Sequence, residues 1–186
     1  MTPTRCTLVA GLALALLGCD ADADDDGGSA DTEAEGMDED GTAAEQTLDE
    51  DMILSAAMAY ATDLQQVSAE PRASQHVIAT TVQFYVTPGD AEMYLGIDPD
   101  GDSTASFDEG ALLVKENLDA DGNPDGLFAM YKAYEGYDPE GNDWYYLRVD
   151  ASGTADNAGK VGFCRDCHAG TAGTDYAFGV PLDNRL

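Results

Sequence analysis

Histidine and cysteine are scarce in this chain: two His and four Cys among 186 residues, so any metal or redox chemistry draws on a short inventory. Cations are scarce too. Eight Lys and Arg stand against 37 Asp and Glu, a formal net charge of −29. That balance excludes nucleic acid as a partner, because phosphate binding needs clustered cations; a basic protein partner, or mere solubility, fits the charge. Long apolar runs are missing as well. The longest, Leu8 to Leu17, is ten residues, half of the roughly 20 that cross ~30 Å of hydrocarbon as a helix. What is present is a 44% share of hydrophobic residues. This is enough for one core of ordinary domain size, and the chain is too short for a large multidomain enzyme.

The Leu8–Leu17 run follows Arg5 and ends in Leu16-Leu17-Gly18-Cys19. A positive start, a short apolar stretch and a small-residue end make a secretion signal. The last four residues resemble a bacterial lipobox, in which the cysteine is lipidated and becomes the mature N-terminus. Residues 1–18 are therefore read as a lipoprotein signal peptide and Cys19 as the lipid attachment point. The expected location is the periplasm or an outer surface, with acyl chains holding the protein to a membrane at about 0.8 kcal/mol per buried CH₂. From Asp20 to Met52 there are fifteen acids and no Lys or Arg. Such a stretch cannot bury enough apolar surface to offset its ordering entropy, so residues 19–52 are expected to form a disordered acidic tether. A docking arm for a basic redox partner is the functional alternative.

Residues 53–186 are of single-domain size and remain acidic, with 22 Asp and Glu against 7 Lys and Arg. Leu54, Ala57, Met58, Ala61 and Leu64 recur at helical spacing and predict a helix over Ile53–Ser68, with Asp49 and Asp51 as candidate caps. Beyond Pro71 the period shortens. Ile78, Val82, Phe84 and Val86 alternate within His76–Val86, and Ala111–Glu116, Leu127–Tyr134 and Trp144–Val149 are further strand candidates. Gly, Pro, Asp and Asn fill the connections. The expected fold is α+β, mainly an antiparallel β-sheet with one or two packed helices and a C-terminal haem-attachment segment. Asp98, Asp100, Asp102, Thr104, Ser106 and Glu109 match the oxygen spacing of a calcium loop. Ser103 stands where its turn wants Gly, and the sequence runs on into a strand, so a solvated acidic loop is the expectation over 98–109.

The chemistry lies near the C-terminus, in Cys164-Arg165-Asp166-Cys167-His168, a CxxCH motif. Two thiols three residues apart can add to the two vinyl groups of one haem, and the adjacent imidazole then meets the iron axially. Three alternatives fit less well. A zinc site needs a fourth ligand and only His76 remains, since Cys6 and Cys19 belong to the signal. A thioredoxin-like CxxC needs further helix and sheet, and only 18 residues follow His168. A disulfide leaves the histidine without a purpose. Common small helical cytochromes carry a methionine ligand downstream, but none follows His168 here; Met93 and Met130 lie upstream. Lys115 alternates onto the face of Ala111 and Leu113, which is costly unless it snorkels to water, pairs or reacts. His76 is the other histidine, and as a sixth ligand it would leave electron transfer alone; a surface residue is the plainer expectation. Trp144, Tyr145, Tyr146, Phe128, Tyr131 and Tyr134 read as core and pocket wall.

Five segments in order, Phe107–Asn117, Gly136–Trp144, Gly159-Lys160, the motif at 164–168 and Gly173–Phe178, resemble the cytochrome P-460 family, including the cytochromes c′-beta. The resemblance implies a β-rich domain with one covalent haem c, five-coordinate on His168, and an open distal face. In oxidising members a lysine is bonded to the porphyrin edge, and Lys115 sits at the matching position. Those members also carry a distal arginine, where this chain has Val82, and a proton-moving glutamate, for which Glu135 is the nearest candidate although its register is off by about one residue. The functions implied are oxidation or binding of small nitrogen species such as hydroxylamine and nitric oxide. A non-catalytic nitric oxide or carbon monoxide binder and a six-coordinate electron carrier stand as alternatives. Partners on this reading are a small gaseous or nitrogenous ligand, a soluble or membrane redox protein and the membrane itself; the oligomeric state stays open, a homodimer included.

Overall fold

The computed structural model describes residues 46–186 except Val77. The signal peptide, Cys19 and most of the tether lie outside the described residues. Helix α1 (Glu50–Met58) opens three residues before Ile53, inside the stretch read as tether. The reason is local: the Asp49 carboxylate accepts from Met52 N at 2.9 Å, and Glu50 and Asp51 sit in the first turn where the helix dipole favours them. Ile53 and Ala57, one turn apart, are its buried residues. The helix breaks at Ala59, and a short α2 (Tyr60–Asp63) leads into the two-residue strand β1 (Gln65–Gln66).

The sheet has seven strands, all paired antiparallel, in the order β1-β3-β4-β5-β6-β7, with β2 (Arg72–Ala73) also on β3 (Thr81–Val86). The others are β4 (Leu112–Leu118), β5 (Pro124–Lys132), β6 (Trp144–Val149) and β7 (Ala155–Gly159). The fold is therefore α+β, as expected, with a few short helices. The strand expected over His76–Val86 is shorter. Arg72 and Ala73 pair with Val82 and Thr81, so the chain reverses between β2 and β3, and Ile78 is left exposed. The polar strand β7 carried no alternating signal; it is an edge strand with little apolar surface to bury.

Both faces of the central sheet are covered, so β4 is buried along nearly its whole length instead of alternately. One face bears Leu112, Val114, Ala129, Tyr145 and Leu147 against α1. The other bears Val86, Leu113, Met130, Trp144 and Tyr146 beneath helix α3 (Ala91–Leu95), Phe107 and the C-terminal segment. At Gly126 (φ +88°) a Cβ would fall 2.3 Å from Val149 O, so β5 and β6 come this close only over a glycine.

The tail is fastened to this second face. Arg185 donates to Val180 O (2.9 Å), Ile97 O (2.6 Å) and Leu95 O, and Asn184 exchanges hydrogen bonds with the Glu70 backbone. Among the described residues no helix is long and apolar enough to cross a membrane.

Candidate functional site

Helix α4 (Gly162–His168) carries Cys164, Cys167 and His168. The i, i+3 spacing puts the two thiols on one side of the helix, and both are free. Arg165 ties the helix to the turn at Pro139–Gly141, pairing with Glu140 at 3.0 Å and Asp138 at 3.6 Å. Cys164 packs against the Val86, Leu113, Met130 and Tyr146 cluster, while Cys167 is exposed. Burial and the neighbouring Cys167 push the Cys164 thiol up to about 11, and Lys115 pulls the other way.

His168 is held from behind. Its Nδ1–H donates to Tyr176 O at 2.6 Å, and its ring lies between Tyr146 (centroids 5.5 Å apart) and Phe178 (5.0 Å). Burial holds the imidazole below its ordinary value, against the opposing pull of the Tyr176 carbonyl. The neutral ring so bonded presents Nε2 with a free lone pair, the form in which histidine ligates a metal.

Lys115 comes from the sheet. It sits opposite Phe84 on β3 and Phe128 on β5, and Phe128 sits opposite Arg148 on β6. Its Nζ donates to His76 Nδ1 at 2.6 Å and lies 5.0 Å from the Phe128 ring centroid; the His76 ring stacks 4.2 Å from the same phenyl. Burial lowers Lys115 to about 8, opposed by the two thiols. His76 falls to about 4 through burial, then the Lys115 charge, then His168. These couplings place Lys115, His76, both thiols and His168 in one electrostatic neighbourhood. His76 is thus not the surface residue expected; it is half-buried, and the reversal between β2 and β3 lays it on Lys115.

Glu135 does not join them. It is exposed in the turn after β5. Val82 is buried opposite Asn117, and Met130 lies in the core beside Leu113 and Tyr146, with Met93 packed at its margin. The acidic residues 98–109 form a loop in which the Asp98 carboxylate accepts from Asp100 N at 3.0 Å. Among the described residues no three His, Cys, Asp or Glu side chains converge as the ligands of one bare ion, there or at α4.

One centre escaped the sequence reading. Asp175, 3% exposed, accepts from Lys132 Nζ (2.7 and 2.9 Å), Phe107 N (2.8 Å), Asn142 Nδ2 and Trp144 Nε1, the last both at its carboxylate (3.1 Å) and at its carbonyl (2.8 Å). Phe107, Asn142, Trp144 and Asp175 belong to three of the segments singled out in the sequence, and this network ties those three segments together. A lone Asp in a Gly-Thr-Asp-Tyr string gives no hint of it, because every partner is at least 31 residues away. Tyr146 Oη, Asn117 Oδ1 and Arg148 Nε are buried without partners and by register lie on the sheet face that carries Lys115; Asn117 and Arg148 also line a cavity with Ile78 and Ser152, and Arg148 Nη1 pairs with Asp156 at 3.1 Å.

No protein-family model matches the chain, and no curated protein matches it.

Proposed function

We propose that this chain is an exported, lipid-anchored monohaem c-type protein of the cytochrome P-460 type, which binds or oxidises small nitrogen species at an open iron position. The observation that carries the reading is the donor set of α4: two free thiols on one side of a helix, followed by an imidazole whose Nδ1–H is already engaged by Tyr176 O. Two thiols and one imidazole that do not close on a bare ion suit a flat macrocycle. The unpaired Tyr146, Asn117 and Arg148 atoms support the fit, since buried polar atoms ordinarily have partners.

Cys164 and Cys167 would hold the haem through thioethers and His168 Nε2 would bind the iron. When bound, the haem supplies a one-electron couple and a site for a small ligand. The remaining work is the chain's own. Tyr176 O fixes the tautomer of His168. Phe128, Tyr146 and Phe178 wall the site against water. Lys115 and His76 hold one proton between Nζ and Nδ1, and an amine lowered to about 8 is neutral often enough to act as a nucleophile. The lysine–porphyrin bond implied by the P-460 resemblance is assigned to Lys115; forming it would replace one Nζ–H and one porphyrin C–H by a C–N bond, with loss of two protons and of two electrons to an added oxidant such as a peroxide.

The test is the ferrous absorption spectrum and the intact mass of full-length protein from a host competent for cytochrome maturation. A c-type spectrum and a mass raised by one haem are expected. A colourless protein at apoprotein mass rejects the proposal.

The exposed position of Glu135 and the buried Val82 favour the non-catalytic form of this reading, in which nitric oxide or carbon monoxide is captured without turnover. Gas binding without steady-state oxidation of hydroxylamine by an artificial acceptor is the outcome that selects it.

A further inference from the structure

Asp175 and Tyr176 are consecutive non-glycine residues in the left-handed region, at φ 54° and 62°. That conformation is uncommon for any residue with a side chain and least comfortable for a bulky one, so it persists only where surrounding contacts impose it. Most of the contacts that impose it fall on Asp175, with Tyr176 adding its N–H to Thr171 O (3.0 Å) and its hydroxyl to Glu140 O (3.2 Å). The Asp175 carboxylate takes donors from Lys132, Phe107, Asn142 and Trp144, and the Trp144 indole also holds its carbonyl. The Lys132 ammonium is in turn fixed by Asn142 O (2.8 Å) and lies 4.9 Å from the Trp144 ring centroid. Asn142 and Asp143 are themselves left-handed, at φ 52° and 60°. Two strained corners therefore lock onto each other through one carboxylate, and the next carbonyl along, that of Tyr176, is the one aimed at His168 Nδ1.

We infer that Asp175 is a positioning residue for His168: by imposing the left-handed turn it aims Tyr176 O at the imidazole, so fixing its tautomer and strengthening its donation to whatever Nε2 binds. This rests on the haem reading only for what Nε2 binds; the tautomer is set by the polypeptide. A strong acceptor behind the ring raises the basicity of the ligating nitrogen. Weakening the aim makes the imidazole a poorer ligand and favours the ferrous state.

Four variants of the full-length haem protein test this. Asp175→Asn keeps the shape but loses the charge. Lys132→Met with Asp175→Asn avoids a buried unpaired ammonium. Trp144→Phe removes the indole donor and leaves a small cavity in the core, which the stability control accounts for. Glu116→Gln, on the opposite sheet face, serves as a control for lost stability. With haem still attached by mass, the first three are expected to raise the reduction potential by about a tenfold shift in the ferric/ferrous equilibrium, or about 59 mV, and to lower the iron–histidine stretching frequency. Glu116→Gln, compared at equal loss of melting temperature, should move neither. The Nδ1–H resonance of His168 in ¹⁵N-histidine-labelled protein should weaken or shift in the same three variants. Unchanged potential, stretch and resonance in the three variants overturn the inference. A wild type without haem instead overturns the function proposed above, and the resonance alone then decides the role of Asp175.

Discussion

Lys115, drawn from the sheet, donates to His76 Nδ1, a neutral base, at 2.6 Å. An ammonium buried beside an imidazole gains none of the charge neutralisation a carboxylate would offer, and desolvation drives it toward the amine. Burial lowers Lys115 to about 8, and burial followed by the Lys115 charge lowers His76 to about 4. The pair holds one proton over the face to which the thiols of α4 are coupled. A lysine serving only to reach water would gain nothing from this arrangement.

The first prediction concerns that amine. A bond from Lys115 Nζ to the porphyrin edge withdraws the macrocycle from ordinary c-type electronics. Wild-type ferrous protein is expected to show a strongly red-shifted Soret band, and Lys115→Ala to return it to the ordinary c-type position. An ordinary band in the wild type rejects the bond while leaving the thioethers of Cys164 and Cys167 in place.

A second prediction follows from the sign of the His76 shift. The folded-state value, about 4, lies below the unfolded value of 6.5. The unfolded chain therefore binds more protons between these limits, and stability is lost as pH falls from 6.5 through 4. Because the ring is only half-buried, solvent screening reduces the effect to on the order of 1 kcal/mol. Urea midpoints measured from pH 7 to pH 4 should fall further for wild type than for His76→Gln. Parallel curves would show that His76 is free to protonate in the folded protein.

Much of the scaffold was legible because alternation at period two survives wherever one strand face differs from the other. The strand expected over Trp144–Val149 is β6 to the residue, and the one expected over His76–Val86 is β3 from Thr81 onward. The errors have physical causes. The chain was expected to be strand from His76, but β2 folds back and forces a turn, and that turn brings His76 to Lys115. The capping carboxylate of Asp49 starts α1 ahead of the apolar period that announced it. That Cys164, Cys167 and His168 stand together was legible because they are neighbours in the sequence and share α4. Asp175 was not, since its partners come from three distant segments and a hydrogen-bond network leaves no period in sequence.

The sharp approach of β5 to β6 yields a third prediction. Gly126 and Gly122 have similar positive φ, +88° and +82°, but a Cβ at Gly126 would meet Val149 O at 2.3 Å and a Cβ at Gly122 would meet nothing within 4 Å. Gly122→Ala incurs only the cost of a left-handed alanine, about 1 kcal/mol. Gly126→Ala adds displacement of backbone and should cost on the order of 1–3 kcal/mol more. Denaturant midpoints of the two variants check the difference; equal losses would mean that the strands separate freely at this corner.

The last prediction separates ligand binding from electron transfer alone. A six-coordinate iron needs a second axial donor, and the three described candidates nearest the site are engaged: His76 Nδ1 by Lys115, Met130 by the core around Leu113 and Tyr146, Met93 by the margin of the same cluster. Reorganising any of them would mean breaking a buried contact for one iron bond. Carbon monoxide added to the reduced protein is therefore expected to bind, with a clear shift of the Soret band. If wild type does not respond but His76→Ala does, His76 is the second axial ligand and the protein exchanges electrons only. If neither responds while Met130→Leu does, the core methionine holds that position. Either result would remove the open site on which capture of nitric oxide or oxidation of hydroxylamine depends.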